Sequence, residues 1–196
     1  MSASTTAPGS YLRSIISVMV VLLLLVFSFT GLRSQTHAGL YDFFMWMETT
    51  WFGVIGKTWG AAFALVEALH LLAMALLAGA VFVSDARIMG WGFNDIPAQE
   101  FFDKAHKVFV WGLIVVLFTG IFMACGVAGK IYYLPVFWYK MLALGCGIFF
   151  VFFIKRPLLS SGIENVDPRV LKLVALSSVM VWVTVAATGR WIGYSG

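Results

Sequence analysis

The chain has 196 residues, of which 61% are hydrophobic and 11% charged, with a mean hydropathy of +0.94. A soluble domain cannot cover that much apolar surface with so few charges, which excludes a water-soluble enzyme or carrier. The formal net charge of +4 sits in the turns between apolar stretches, so it records membrane topology and no nucleic-acid partner is expected.

A bilayer core of about 30 Å takes about 20 apolar residues per spanning helix, and the sequence offers five such stretches. The expected fold is all-α: a polytopic membrane helical bundle of five transmembrane helices and one outer interfacial helix, a single membrane domain over residues 1–196. The first span, about 12–32, reads "IISVMVVLLLLVFSFTG". Thr36 and Ala38 resemble a cleavage site, but Arg13 alone charges the segment before it, so it reads as a retained helix. An aromatic stretch at about 39–55 is too interrupted to span. Its rings at Phe43, Phe44, Trp46, Trp51 and Phe52 suit the headgroup region of the outer face.

The second span is expected at about 58–83, and the third at about 108–128 after a polar turn. The fourth follows at about 136–154, with Pro135 suiting its first turn. Asp167 as an N-cap and Pro168 at the first helical position open the fifth, about 169–192. With the N-terminus inside, Arg13, Arg87, Lys104, Lys107, Lys155, Arg156, Arg169 and Lys172 lie on the cytoplasmic side. Arg33, Lys57, Lys130, Lys140 and Arg190 lie outside. Eight against five gives N-in, C-out, the topology of a multi-pass protein of a bacterial inner membrane. Arg87, Lys155, Arg156 and Arg190 lie near helix ends, where long side chains snorkel to water.

Glu67 and His70 are different. In "VEALHLLAMALLAG" His70 lies about 20 Å along the helix from Lys57 and about 25 Å from Arg87, near mid-membrane. An ionisable residue there is a functional hypothesis by default, because it must be neutral, paired or bound. A neutral imidazole is a common haem ligand, and a neighbouring carboxylate can orient its ring. His106 lies about 20 Å from His70 in depth, so the two cannot share an iron. Met123 lies near the depth of His70, and His37 reaches it only if its loop folds inward. Lys57, Lys140 and Arg190 lie toward the outer side, where they could meet haem propionates. The expected cofactor is haem b, with His70 as metal ligand and Glu67, Met123, Lys140, Arg190 and His37 around it. Copper is the alternative, using Met74, Met123, Cys125 or Cys146 as softer ligands. A plainer reading makes Glu67 and His70 interhelical hydrogen-bonding glue in a tight bundle. Small-residue pairs at Ala75/Gly79, Gly120/Ala124 and Gly189/Gly193 support that packing.

The order Glu67, His70, Gly79, Asp85, Arg87, Gly90, Gly112, Thr119, Gly120, Lys140 resembles an uncharacterised family of bacterial integral membrane proteins. Its pattern runs Glu-x-x-His, Asp-x-Arg-x-x-Gly, Thr-Gly and then Lys, over about 46–150. The resemblance implies a membrane bundle and no settled activity. A looser analogy joins the chain to small b-type cytochromes and copper-resistance-type membrane proteins. No HExxH, Ser-His-Asp order or paired catalytic carboxylates occur, so hydrolase and transferase activity is not expected. The expected function is a membrane electron-transfer component at the outer face, in the lipid bilayer and beside a redox partner. The alternatives are a cofactor-free accessory subunit of a larger membrane complex and a copper-handling protein.

The charge count makes one direct prediction. A cysteine introduced at Asn94 is labelled only from the cytoplasmic side of intact cells, and one at Gln35 only from outside; labelling of the Asn94 site from outside contradicts the topology.

Overall fold

Lipid offers the backbone no water to bond to, so so apolar a chain must satisfy its peptide groups within helices. A computed structural model describes Met19 and residues 37–93 and 95–195, which are helical apart from short connections. Residues Phe44–Gly196 form one compact unit, and the residues up to Phe43 form another. In chain order the helices are α1 (Tyr41–Thr49), α2 (Trp51–Thr58), α3 (Gly60–Met89), α4 (Ala98–Gly126), α5 (Ala128–Tyr132), α6 (Pro135–Ser160) and α7 (Pro168–Ile192). Among the described residues four, α3, α4, α6 and α7, are long and apolar enough to cross a membrane. The expected first span at 12–32 lies, apart from Met19, outside the described residues.

The spans start and stop where backbone chemistry dictates, not where hydropathy fades. Helix α3 runs beyond the expected end at 83, through the polar Ser84-Asp85-Ala86-Arg87, and stops at Gly90. That glycine adopts φ 79°, a left-handed conformation that costs a residue without Cβ nothing. The Trp91 and Gly90 N–H groups donate back to the carbonyls of Ala86 (2.9 Å) and Arg87 (3.1 Å), which closes the helix end. Helix α4 likewise begins at Ala98, directly after Pro97, ten residues before the expected start at 108. Its first turns carry Glu100 and Lys104, paired at 2.7 Å one turn apart. The expected start of α7 holds: the Asp167 side chain accepts from the Arg169 N–H at 2.7 Å, ahead of Pro168.

The expected single helix at 39–55 is two helices. Thr50 breaks it: its hydroxyl donates to the Met47 carbonyl at 2.6 Å and accepts from the Gly53 N–H at 3.3 Å. The corner is tight enough that a Cβ on Gly53 would lie 2.5 Å from the Glu48 carbonyl oxygen. Glu48 then ties the corner down by pairing with Lys57 and accepting from the Gly129 N–H at 2.6 Å. Phe44 packs on Tyr132, Phe137 and Trp138, with ring centroids 5.5 to 5.9 Å apart. Trp46 and Trp51 remain exposed and Phe52 turns inward onto Phe118 and Phe122.

Lipid tails are as apolar as leucine, so close packing and hydrogen bonds hold such helices together, not burial from water. Accordingly Leu65, Leu72, Trp111, Phe118, Leu173 and Met180 are each more than half exposed, as lipid-facing positions are. Glycines set the contacts. Gly112 of α4 lies where a Cβ would be 3.3 Å from Leu77 Cβ, and a Cβ on Gly56 would be 3.0 Å from Gly126 Cα. A Cβ on Gly147 would lie 3.3 Å from the Trp182 ring. Among the described residues the expected small-residue pair Ala75/Gly79 makes no helix contact: Gly79 has no described neighbour within 4 Å of its Cβ direction. Leu77, Ala80, Val81, Phe109, Leu113, Val151, Trp182 and Val185 form an apolar layer across α3, α4, α6 and α7.

Glu48 gives a pH test of the corner. The Lys57 ammonium, helped by the Gly129 N–H, holds its carboxyl below the ordinary range. Stability from a depressed carboxyl is full above the unfolded value of about 4.3 and is lost as pH falls through the lower folded value. Glu48→Gln therefore lowers the Tm of the solubilised protein at neutral pH by about 2 °C. The difference from wild type closes as the pH drops below the ordinary glutamate range; a difference that persists unchanged in acid contradicts the assignment.

Candidate functional site

A cavity of about 410 Å³ opens between α3, α4, α5, α6 and α7 at the end of the bundle away from Gly90. That lies within the range of about 300–1,000 Å³ typical of small-molecule and cofactor sites. Glu67, His70 and Met74 face it from α3, because positions three and four apart share one side of a helix. Gly120 and Met123 face it from α4, Lys130 from α5, Lys140 from α6 and Arg190 from α7. Three cations and one carboxylate thus surround an otherwise apolar space.

His70 is buried, at 6% exposure, and its Nδ1 lies 2.7 Å from Thr119 Oγ1. Thr119 has one hydroxyl hydrogen, and it goes to the carbonyl of Val115 one turn back, at 2.6 Å. With that hydrogen on Val115, the hydroxyl oxygen accepts from the ring and Nδ1 carries the proton; the Val116 carbonyl lies beside the ring as well. In the neutral imidazole the lone pair is then on Nε2, which has no hydrogen-bond partner among the described residues. Gly120 backs the seat: a Cβ there would lie 3.4 Å from His70 Cε1, in van der Waals contact with the ring. A membrane histidine held by one nitrogen with the other open to a cavity is a ligand-type arrangement.

The sequence-derived candidates divide. His70, Glu67, Met123, Lys140 and Arg190 all line the cavity. Glu67 does not orient the imidazole: Thr119 does, and Glu67 stands at the cavity wall. Lys140 lies across Gly189, with Nζ 3.4 Å from where a Cβ would be. Arg190 donates to the Tyr194 hydroxyl at 2.9 Å and sits over its ring. Lys57 is taken by Glu48. His37 falls in the unit that ends at Phe43 and is no part of the unit that builds the cavity. His106 packs between Phe109 and Phe152, at a different site from His70. Of the soft ligands, Met74 and Met123 line the cavity and Cys125 and Cys146 do not; both cysteines are free thiols. Among the described residues no three His, Cys, Asp or Glu side chains converge as a metal site.

Lys155 corrects the snorkelling expectation. It is 5% exposed and its Nζ lies 2.6 Å from Oδ1 of Asp85, which is wholly buried. Asp85 is part of the Asp-x-Arg run, and that run was the available signal. Its distance from the membrane centre masked it, because a helix end near water makes a charge look cheap.

The Thr119 bond carries a prediction. Interhelical hydrogen bonds in membranes average about 0.6 kcal/mol, so Thr119→Val leaves the bundle folded. The chain has three histidines, which lets ¹⁵N NMR of labelled protein resolve each ring. Wild-type His70 shows a protonated Nδ1 and an unprotonated Nε2, and Thr119→Val shifts the population toward Nε2–H. A wild-type ring already protonated at Nε2 alone contradicts the assignment.

No curated protein and no solved structure matches the chain. A family profile matches residues 43–195, a stretch that includes all seven described helices except the first two residues of α1. The chain belongs to DUF6644, a family of unknown function.

Proposed function

We propose that this membrane protein holds a haem b in the cavity through His70 and serves as an electron-transfer component at the outer side of a bacterial inner membrane. The observation that carries the reading is the seat of His70: Nδ1 lies 2.7 Å from Thr119 Oγ1, and Nε2, with no hydrogen-bond partner among the described residues, stands beside a ligand-sized space. The donor set fits such a group: a neutral imidazole for the iron, the Met123 thioether as a second ligand type, and Lys140, Lys130 and Arg190 for two propionates. Bound haem would supply one-electron chemistry. The chain's own contribution is to fix the imidazole, exclude water and set the local charge, in which Glu67 is the one carboxylate. The exposed rings of Trp46, Trp51 and Trp59 suit the headgroup level or the face of a redox partner.

Copper is the second reading, and Met74 and Met123, which line the same cavity as His70, favour it. The visible spectrum separates the two. Protein purified from membranes, or titrated with haem, shows a Soret band that His70→Ala abolishes. Glu67→Gln keeps the band and raises the midpoint potential, because removing a nearby negative charge favours the reduced iron. Stoichiometric copper without a Soret band points to the second reading. Absence of both, with no uptake of added haem, leaves a cofactor-free accessory subunit in which His70 only joins α3 to α4.

A further inference from the structure

The opposite end of the bundle holds a second buried polar cluster that the cavity does not use. Asp85 of α3 and Ser178 of α7 have no exposed surface, and Lys155 of α6 is 5% exposed. Lys155 Nζ lies 2.6 Å from Asp85 Oδ1 and donates to Ser178 Oγ at 3.3 Å. Neither Asp85 oxygen makes a well-aligned hydrogen bond among the described residues: Oδ1 has the Lys155 contact, and the Ser178 hydroxyl lies beside the carboxyl. Burying such a pair is poor value for stability alone, because desolvating each ion offsets most of the attraction. An under-satisfied buried carboxylate instead has room for one more proton donor.

The backbone is shaped to the pair. Helix α6 widens into a π segment over Phe150–Lys155, ending on the lysine itself. One inserted residue turns everything after it by about 100° around the helix axis, and such segments recur at functional sites. Beside the cluster lies a cavity of about 30 Å³, room for about two waters. Ser84, His106, Lys155 and Arg156 give those waters polar partners. Arg156 in turn pairs with Asp103 at 2.7 Å, and both are part-exposed. On the other side the apolar layer through Leu77, Val81, Phe109 and Trp182 closes the way toward His70.

We propose that Asp85, Lys155 and Ser178 form a buried proton-exchange site, served from one membrane face by water held beside His106. The charged and titratable groups around it are Lys155 and Arg156 from α6 and His106 and Asp103 from α4. The Ser84 and Ser178 hydroxyls come from α3 and α7, and Arg87 turns away to donate to the Ile96 carbonyl at 2.9 Å. The step is a proton transfer without electrons. Lys155 lines the cavity and Asp85 does not, so the proton enters through the ammonium: Lys155 passes one proton to Asp85, which becomes a carboxylic acid, water in the cavity returns a proton to Lys155, and bulk water from that face replaces it. Lys155 keeps its ammonium, so the cluster gains one positive charge on uptake and loses it on release.

Infrared difference spectroscopy of the full chain in lipid nanodiscs reads this directly. Stepping from mildly alkaline to acidic pH produces a carbonyl band of a protonated, buried carboxyl in wild type. Asp85→Asn loses it. Since Asp85→Asn strands the Lys155 charge, the double variant Asp85→Asn/Lys155→Met removes both charges and also lacks the band. His106→Phe keeps the band but slows its appearance after a pH jump several-fold. The proposal is overturned if wild type shows no such band, if the band survives in the folded double variant, or if His106→Phe leaves the rate unchanged.

Discussion

A histidine carried into a lipid-embedded bundle needs a partner for each ring nitrogen, and Thr119 provides for one only. Its hydroxyl hydrogen is committed to the Val115 carbonyl, so it can accept from the ring and cannot donate to it. In that arrangement Nδ1 is the donor, α3 is joined to α4, and Nε2 has no hydrogen-bond partner among the described residues. The surrounding structure is consistent with it. Gly120 makes room for the ring edge, and Gly112 lets the two helices approach closely enough for a 2.7 Å bond to form. Nothing in water would need this arrangement; in lipid no solvent can serve the second nitrogen.

Much of the architecture was legible because lipid imposes length and composition together. The four described spans fall where apolar runs fall, and the Asp167-Pro168 start of α7 needed only capping chemistry. The boundaries were less legible, since Gly90 and Pro97 end and begin helices well outside the apolar runs that hydropathy detects. Aromatic content hides the Thr50 corner in the interfacial stretch, although Thr-Thr followed by Gly53 is a capping signal. Small-residue spacing alone did not identify helix contacts. Ala75 and Gly79 face away from the other described helices, while Gly56, Gly112, Gly126 and Gly147 are where backbones or rings come close. Which face of a nearly uniform apolar helix points inward is set by its neighbours, and spacing within one helix does not contain that.

The candidate site was legible in its centre and not in its support. Depth along α3 singled out His70, and shared depth suggested Met123. The role of Thr119 was hidden because a hydroxyl on an apolar helix ordinarily satisfies itself on its own backbone, as Thr184 and Thr188 do here. Thr119 does so too and still accepts a second bond. The Asp85–Lys155 pair was hidden for another reason: two charges, each near a helix end in sequence, meet where α6 changes its winding over Phe150–Lys155. Two ionisable centres therefore lie at opposite ends of one helix bundle with an apolar layer between them.

The account depends most on Nε2 of His70 facing a ligand. The most direct measurement is an experimental density map of the protein extracted from its native membrane without added cofactor. The account predicts density in the cavity that is continuous with His70 Nε2 while Nδ1 remains at hydrogen-bonding distance from Thr119. A map in which Nε2 is hydrogen-bonded to a protein group, with acyl chains or bulk water filling the cavity, would contradict it.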